Sequence, residues 1–582
     1  MSQGKRARRA AAIAGVTALV AAALGSATAA AEPAVSKPRP GDVDVQLLAF
    51  NDYHGHLEAG TPGTVGSVPA GGSEFLSTHL SQLRDGHRNS LTVAAGDLIG
   101  GTPFLSGLFH DEPSVESLNA MGLDVSSVGN HEFDEGVTEL HRMQDGGCHP
   151  VDGCYFANDP FAGADFSWLA ANVINGATRA TALPPYWIKK FQGAKIGFIG
   201  MTLEGTDQLV AQSGIRGWTF EDEVETANAL VPELTRQGVE AIVVLLHEGG
   251  IPTGGGVNDC VGISGPIVDI AENLDSEIDV LITGHTHLPY NCVIDDPAGA
   301  PRRVTSAFSF GRVISEINLT IDRVTKDVRR DAVTATNHVV TQDVARDPAL
   351  TAVLNKWQPL ASTIGNRPVG TITANIARAF TGTAENRGLE SNLGNMIADA
   401  QLWATESENG AQIALMNPGG IRADLRFAQS VGEGDGVVTY GEAFNVQPFG
   451  NLLTTIPMTG AQIVDVLEEQ CQPAGTSRPF LHLGVSEGFT YDLQRTITSG
   501  TCTGVTVSNV RLDGVLLDPA GTYQVTVNNF LVDGGDNFGT FADVDPSLRV
   551  GAGIDLDALI GYLGSDVAPI APPGTNRVNE LP

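Results

Sequence analysis

The sequence predicts an α/β protein of two large domains. Its 582 residues are too many for one hydrophobic core. A hydrophobic content of 42% with 17% charged residues is typical of a globular rather than a disordered chain. Short apolar runs alternate along the chain with longer amphipathic segments, which is the pattern of strands covered by helices.

The first domain is expected over residues 43–340. Three amphipathic stretches, 73–84, 113–121 and 221–237, predict helices between buried strands. The predicted strands are VDVQLLAF, LTVAAG, DVSSVG, AKIGFIGM, AIVVLL and DVLITG.

A linker helix and a second α/β domain are expected to follow. Residues 346–365 have helical spacing, and we place a hinge between the domains there as a hypothesis. The second domain is expected over 366–582. In it NLGNMIADAQLWATES predicts a helix, while IALMNPGG and YQVTVNNF predict strands that run into turns.

The first 31 residues predict a signal peptide. A basic start with Lys5, Arg6, Arg8 and Arg9 precedes an apolar run and small residues suited to cleavage. An uncleaved anchor helix is the alternative. No later stretch is long and apolar enough to span a bilayer, and the final APPGTNRVNELP is not a hydrophobic tail. The mature protein is therefore expected to be soluble and secreted, whereas its oligomeric state cannot be inferred.

The formal net charge of −33 bears on the choice of partner. Nucleic-acid binding needs basic patches, so the acidic balance argues against it. An anionic small-molecule substrate must then be attracted by local cations.

The six cysteines suit an exported protein, since none forms a C-x-x-C pair typical of zinc knuckles. Six cysteines allow 15 disulfide patterns. We favour pairing of sequence neighbours, because each pair then lies within one predicted domain: Cys148–Cys154, Cys260–Cys292 and Cys471–Cys502.

Polar side chains follow five of the predicted strands, where each strand ends. In open α/β sheets this edge is where ligands bind. Each motif alone would more simply be a turn or a helix cap, but five together at strand exits favour one site. The residues that follow the strands are Asp52 and His54, then Asp97, then Asn130 and His131, then His247, and finally His285 and His287.

The chemistry of this set favours metal binding. Two carboxylates, one amide and several imidazoles exceed what one ion needs, whereas two ions sharing a bridging carboxylate would use them. Mixed nitrogen and oxygen donors suit zinc, manganese, cobalt or iron rather than calcium. Two such ions activate water and bind an anionic ester during its hydrolysis.

The motifs NDYHGH, GNHEFD and GHTH resemble the calcineurin-like metallophosphoesterase pattern. With the long second domain, the chain is similar over about 43–545 to the 5′-nucleotidase family, which includes UDP-sugar hydrolases and 2′,3′-cyclic-nucleotide phosphodiesterases. The resemblance implies a metallophosphoesterase sheet sandwich flanked by helices, followed by an α/β substrate-binding domain.

The resemblance also implies roles for the first-domain residues. Two divalent ions, most simply zinc or manganese, would be held with Asp97 as the bridge. One ion would be bound by Asp52, His54 and His287, and the other by Asn130, His247 and His285. His131 would stabilise or protonate the leaving oxygen, and Asp134 would orient its imidazole.

In the second domain the resemblance implies a nucleotide site. Arg387 and Arg422 would reach the phosphates, as guanidinium groups match phosphate oxygens. Phe449 and Phe530 would stack on the base, although both could instead be core residues. The remaining candidates are Asn417, Gly420 and Asp536, of which Asn417 and Asp536 would contact the base or ribose.

One departure from the family pattern concerns the phosphate contacts. Other members often have a second arginine a few residues before the position of Arg387, whereas here Arg378 lies at a different spacing. The choice between mono- and diphosphate substrates therefore stays open.

The resulting hypothesis is a secreted dinuclear-metal phosphohydrolase that hydrolyses nucleotides, foremost 5′-mononucleotides, by metal-activated water with a His–Asp dyad. The alternatives are a 2′,3′-cyclic-nucleotide phosphodiesterase, a UDP-sugar hydrolase, an esterase of non-nucleotide phosphates, or a catalytically silent nucleotide-binding protein.

Overall fold

A computed structural model describes residue 39 and residues 41–581, apart from 61–62, 192, 211, 430–431 and 477. The predicted signal peptide lies outside the described residues. Among those described, no helix is both long and apolar enough to cross a membrane.

The first domain is a sandwich of two six-stranded sheets. Parallel strands occupy the middle of each sheet, and antiparallel strands close an edge. In spatial order, the first sheet contains Thr334–Val339, Val313–Ile321, Val43–Phe50, Ser90–Ala95, Val125–Ser127 and Ser167–Leu169. The second contains Tyr290–Asp295, Pro301–Ser306, Ile278–Thr283, Ala241–His247, Ala194–Thr202 and Tyr186–Phe191. All six predicted strands are thus confirmed.

Side chains that alternate along each strand build three hydrophobic layers. Leu47 and Val243 belong to the core between the sheets. Leu48 instead faces helices on the outside of the first sheet, and Val244 faces helices outside the second. Because both faces of each sheet are covered, the central strands read as continuous apolar runs.

Helices cover the two outer faces, as a sheet sandwich flanked by helices requires. The three predicted helices are observed within one or two residues of their expected bounds. The α-helices of this domain are Ser73–Arg84, Phe104–Gly107, Glu112–Met121, Gly136–Asp145, Gln212–Ile215, Glu223–Arg236 and Pro266–Asn273. Short strand pairs join Val173–Asn175 to Trp218–Phe220 and Thr64–Val65 to Val68–Pro69.

The linker helix is Pro348–Gly365, and its body packs on the first domain. Asp347, which caps the helix, accepts a hydrogen bond of 2.6 Å from Ser77 Oγ. Trp357 Nε1 donates to Glu116 at 2.9 Å, and Lys356 pairs with the same carboxylate at 2.7 Å. These contacts bind the first part of the helix to the first domain, whereas its last residue, Gly365, lies close to Gly441 of the second domain. The hinge within 346–365 stays a prediction.

The second domain contains a five-stranded and a four-stranded sheet. In spatial order these are Gly484–Val485, Ile413–Met416, Thr522–Asn528, Leu452–Thr459 and Val550–Ile554, then Val515–Leu516, Thr501–Leu512, Phe489–Thr498 and Val578–Glu580. Further strand pairs are Pro368–Thr371 with Val437–Thr439 and Phe380–Thr381 with Ala384–Glu385. The α-helices are Asn392–Asn409, Tyr440–Val446, Gly460–Glu469, Asn529–Val532, Gly539–Ala542 and Asp555–Leu563.

The six cysteines pair as predicted, forming Cys148–Cys154, Cys260–Cys292 and Cys471–Cys502. Each disulfide joins segments of one domain, so none restrains the position of one domain relative to the other.

We predict that Trp357→Ala lowers the free energy of unfolding of the first domain by about 3–5 kcal/mol, as for other large-to-small core substitutions. Trp357 is 1% exposed and packs against Phe109 and Phe156. Trp357→Phe keeps most of the ring but loses the bond to Glu116, and should cost only about 1–2 kcal/mol. Denaturant unfolding followed by circular dichroism measures both. A loss below about 1 kcal/mol for Trp357→Ala would show that the linker helix is not part of this core.

Candidate active site

The strands of both sheets end at one edge of the sandwich, and the polar residues of the five motifs converge there. Five of these residues have a positive φ, between 44° and 70°: Asp52, His54, Asp97, His285 and His287. Such backbone is unfavourable for residues other than glycine and is found preferentially at functional sites.

Four of the side chains form a compact group. Asp52, His54, Asp97 and His287 each offer one ligand atom, and these atoms all lie within 4.8 Å of one another. His287 Nε2 is 3.0 Å from Asp52 Oδ1, and His54 Nε2 is 3.5 Å from Asp97 Oδ2. Together they are the set expected to bind one ion, with Asp97 as the bridge.

The other three candidates, Asn130, His247 and His285, form a second group that also adjoins Asp97. His247 Nε2 is 3.0 Å from Asp97 Oδ2, the oxygen that also faces His54. His285 Nδ1 is 3.2 Å from Asn130 Oδ1, and the rings of His247 and His285 are 5.4 Å apart. Asp97 therefore lies between the two expected groups, as a bridging ligand would.

Within this cluster, two imidazoles carry a buried Nε2 that makes no hydrogen bond among the described residues, although His247 Nε2 lies 3.0 Å from Asp97 Oδ2. His54 Nδ1 donates to the carbonyl of Gly100 and His247 Nδ1 to that of Ala95, both at 2.7 Å. A carbonyl can only accept, so this fixes the proton on Nδ1 and leaves a lone pair on Nε2. Both Nε2 atoms are unpartnered and both residues are 0% exposed. An orphaned buried lone pair facing carboxylates fits a metal ligand.

Burial and the facing carboxylates set the protonation of the cluster. Burial holds the pKa of His54 and His287 well below the usual range and lowers that of His285 to about 3. For His247 burial acts in the same direction, but Asp97 and then Asp52 raise its pKa to about 10. A positive charge next to these two carboxylates is therefore favourable, and a divalent cation would supply it. The donor set fits such ions.

Glu132, which the sequence analysis did not single out, holds the turns of this cluster together. Its buried carboxylate accepts backbone N–H groups from Asp97 at 2.9 Å, Leu98 at 2.8 Å and Gly129 at 2.5 Å. Gly129 is required because a Cβ there would lie 2.3 Å from Asp97 Oδ1. The position of Glu132 inside the GNHEFD motif was the signal from which the sequence could have indicated this role.

His131 and Asp134 form the predicted pair beside the cluster. His131 Nδ1 is 2.9 Å from Asp134 Oδ2, and the His131 backbone N–H donates to Asp97 Oδ1 at 2.9 Å. Burial lowers the pKa of His131, but Asp134 and Asp97 outweigh it and leave the pKa raised. A protonated imidazole beside the cluster has the charge of a general acid.

A cavity of about 820 Å³ lies between the two domains, large enough for a nucleotide. From the first domain it is lined by Asp97, Asn130, His131, Asp134, His285 and His287, among others. All seven candidates of the second domain line the same cavity: Arg387, Asn417, Gly420, Arg422, Phe449, Phe530 and Asp536. Asp52, His54 and His247 are buried beneath it.

Three arginines line the second-domain side of the cavity. Arg387 Nε donates to Glu385 at 2.8 Å. Arg422 Cζ lies 5.8 Å from the centre of the Phe449 ring, and Arg478, which the sequence analysis did not single out, completes the set. Arg378 is not among the lining residues, and it pairs with Glu385 and Asp424.

The two phenylalanines present ring faces in the cavity. Phe449 lies nearly parallel to the His131 ring across the domain boundary, with centroids 5.9 Å apart and an interplanar angle of 15°. One face of Phe530 rests on Gly535, where a Cβ would come within 2.4 Å of the ring. Asn417 Nδ2 donates to Asp536 Oδ2 at 2.9 Å, so these two polar candidates are fixed against each other.

Comparison with known proteins matches both halves of the chain to family models. Residues 45–289 match the calcineurin-like phosphoesterase model, and residues 368–543 match the 5′-nucleotidase C-terminal domain model. Endonuclease YhcR of Bacillus subtilis is 32% identical over 91% of this chain, which spans 40% of that protein. Cell wall protein Lmo0130 of Listeria monocytogenes is also 32% identical, over 90% of this chain and 67% of that protein.

A solved structure agrees with these matches. The 5′-nucleotidase precursor of Thermus thermophilus superposes with a TM-score of 0.73 and 25% identity, covering 93% of this chain and 99% of that one. The chain therefore belongs to the 5′-nucleotidase family of metal-dependent phosphoesterases, with a calcineurin-like phosphoesterase domain followed by a 5′-nucleotidase C-terminal domain.

Proposed function

We propose that this protein is a secreted hydrolase that releases phosphate from 5′-nucleotides such as AMP at a centre of two divalent metal ions. The observation that carries the proposal is the shared cavity. Candidate metal ligands from five strand ends, with two unpartnered buried imidazole nitrogens, face the arginines and phenylalanines of the second domain across it. The Thermus thermophilus protein similar over nearly the whole chain is named a 5′-nucleotidase precursor.

The proposed ligands are those of the two groups described above. One ion would be held by Asp52, His54 and His287. The other would be held by Asn130, His247 and His285, and Asp97 would bind both ions. Zinc or manganese suits this donor set. When bound, the ions would supply Lewis-acid charge for activating water and for neutralising the phosphate.

The chain's own residues complete the reaction. His131, whose Nδ1 lies 2.9 Å from Asp134 Oδ2, would donate a proton to the leaving ribose oxygen. Arg387 and Arg422 would bind phosphate oxygens, for which the planar guanidinium is well matched. Phe449 and Phe530 would stack on the base, an interaction that tolerates different bases, while Asn417 and Asp536 would contact the base or ribose.

Export is part of the proposal. Three disulfides within the described residues fit an oxidising compartment. Residues 1–31 have the basic start, apolar run and small-residue exit of a signal peptide.

Asp97→Ala should remove both metal binding and phosphate release, because this carboxylate lies between the two groups. Elemental analysis of the purified protein and phosphate release from AMP measure the two effects. Asp543→Ala, at an exposed position outside the cavity, is the matched control. An Asp97→Ala protein that retained two metal ions would contradict the bridging assignment.

His131→Ala should keep the metal ions but lower kcat for AMP by about 10²–10⁴-fold, the usual contribution of a general acid. The loss should be smaller for p-nitrophenyl phosphate, whose leaving group needs no proton. His79→Ala, in the helix Ser73–Arg84 outside the cavity, serves as the histidine control. Hydrolysis of AMP at the parent rate by His131→Ala would rule out the dyad.

Phe449→Ala and Phe530→Ala should each lower kcat/KM for AMP by an amount corresponding to about 1–3 kcal/mol, the usual value of stacking on one base. Ribose 5-phosphate, which has no base, should be hydrolysed as by the parent, and Phe380→Ala, outside the cavity, should affect neither substrate. Equal losses for both substrates would favour an esterase of non-nucleotide phosphates.

A further inference from the structure

We propose that Phe310 is a positioning residue for one of the two proposed metal ions: its ring and backbone contact the three ligands assigned to that ion alone. The inference rests on the proposed function, because it concerns the metal centre of that function. It goes further by assigning a role to an aromatic residue that lies outside every motif used in the sequence analysis.

The backbone at Phe310 has a conformation that aromatic residues rarely adopt. Its φ is 61°, and that of Phe308, two residues before it, is 67°. A positive φ is a true outlier for a bulky residue, and such conformations persist where the surrounding structure enforces them, commonly at functional sites. Glycine would adopt the same turn without strain. The reason for a phenyl ring at position 310 must therefore be sought in what the ring contacts.

The Phe310 ring packs against two candidate ligands. It meets the His287 ring edge to face, with centroids 5.1 Å apart and an interplanar angle of 81°. The centroid of the His54 ring lies 5.8 Å away. The backbone N–H of Phe310 donates to the carbonyl of Asp52 at 2.6 Å. These are the three residues assigned to one ion alone, and within the described part of the chain the ring packs on neither histidine assigned to the other ion.

His287 is the ligand that depends most on such support. A metal-binding imidazole usually donates its second N–H to a carbonyl or carboxylate, which fixes the direction of its lone pair. Backbone carbonyls do this for His54 and His247. Among the residues that the structure describes, His287 Nδ1 has no hydrogen-bond partner, and the side chain is 23% exposed. Packing against the Phe310 ring therefore provides the restraint that a hydrogen bond provides for the other two.

Neighbouring groups hold the Phe310 ring in its own position. The Arg312 guanidinium carbon lies 5.1 Å from the centre of the ring, and the centroid of the His56 ring lies 4.1 Å away. Arg312 also donates to the Ser309 carbonyl at 3.0 Å and to Ser309 Oγ at 2.7 Å, which closes the turn before Phe310. A cation near an aromatic ring is most favourable where water is excluded, and Arg312 is only 8% exposed.

Asn51 joins the same loop to the ligand Asp52. Its side-chain amide donates to Asp52 Oδ2 at 2.5 Å and to the carbonyl of Phe308 at 2.8 Å. Its Oδ1 accepts the backbone N–H of Ala307 at 2.7 Å. A shift of the loop 307–312 would therefore disturb the ligands of one ion, whereas the ligands of the other ion follow different strands.

The test measures how tightly each zinc ion is retained. The purified protein is dialysed against zinc buffers of graded free concentration, and elemental analysis gives the zinc that remains. In Phe310→Gly one equivalent should be lost at a free zinc concentration about 10- to 100-fold higher than in the parent, the usual cost of removing a group that orients a metal ligand. The second equivalent should be retained as in the parent.

Two further variants separate the ring from its volume. Phe310→Leu keeps an apolar side chain of similar size but no ring, so it should show the same selective loss, and it decides the question should the glycine variant not fold. Phe310→Tyr keeps the ring and should retain both equivalents almost as the parent does.

Phe308→Gly is the matched control. Phe308 has the same kind of backbone, and the Arg312 guanidinium carbon lies 3.9 Å from the centre of its ring. Among the described residues, however, it packs on no imidazole. Glycine relieves the positive φ at either position, so a purely structural turn predicts that both glycine variants keep their zinc. Only the proposal predicts a loss confined to Phe310→Gly.

Two results would overturn the role of Phe310: zinc retention by Phe310→Gly and Phe310→Leu as in the parent, or equal weakening of both equivalents. Phosphate release from AMP by the parent is measured separately. A parent that retained two zinc ions but released no phosphate would contradict the proposed function, while the zinc comparison would still decide the role of Phe310. A parent that retained fewer than two ions would contradict both.

Discussion

The constraint on which the site depends is the burial of two carboxylates, Asp52 and Asp97, side by side among imidazoles. Asp52 is 0% and Asp97 2% exposed, and Asn51 donates a hydrogen bond to Asp52. The other side chains that face the two carboxylates include His54 and His247, whose Nδ1 atoms donate to backbone carbonyls and whose Nε2 atoms make no hydrogen bond. Uncompensated charge in such a place is costly. The positive-φ turns that hold these residues add strain, so the arrangement makes physical sense as a cation site whose binding energy compensates both costs.

Recognition is separated from this chemistry by the domain boundary. The first domain provides the candidate ligands and the His131–Asp134 pair on rigid strand ends, whereas the arginines and phenylalanines lie on turns of the second. The Phe449 ring lies nearly parallel to the His131 ring across the boundary, with centroids 5.9 Å apart, so the relative position of the domains decides whether the site is complete. The linker helix is bound to the first domain through Glu116 and Ser77, and its last residue, Gly365, lies close to Gly441 of the second domain.

Much of the fold was predictable because its signals are local. Six apolar runs, three amphipathic helices and the disulfide pairs of neighbouring cysteines were all read from short windows and are observed. The convergence of Asp52, Asp97, Asn130, His247 and His285 followed from a rule of geometry, since parallel strands present their carboxyl ends at one edge. Glu132 and Arg478 were missed because their roles depend on which groups lie opposite them in the folded chain. Glu132 stands inside the GNHEFD motif, whereas Arg478 stands in no motif that the sequence analysis used.

The sequence by itself determined which segments form strands and which residue types stand where those strands end, because both depend on side-chain periodicity and on neighbours along the chain. Tertiary structure alone decided that three of those ends come from one sheet and two from the other, and that both sets surround one carboxylate, Asp97. It also decided which guanidinium groups pair with carboxylates. Arg378 is paired with Glu385 and Asp424, whereas Arg478 lines the cavity. Charge compensation acts through space between residues that are far apart in the chain. It therefore cannot be inferred from the sequence around either residue alone.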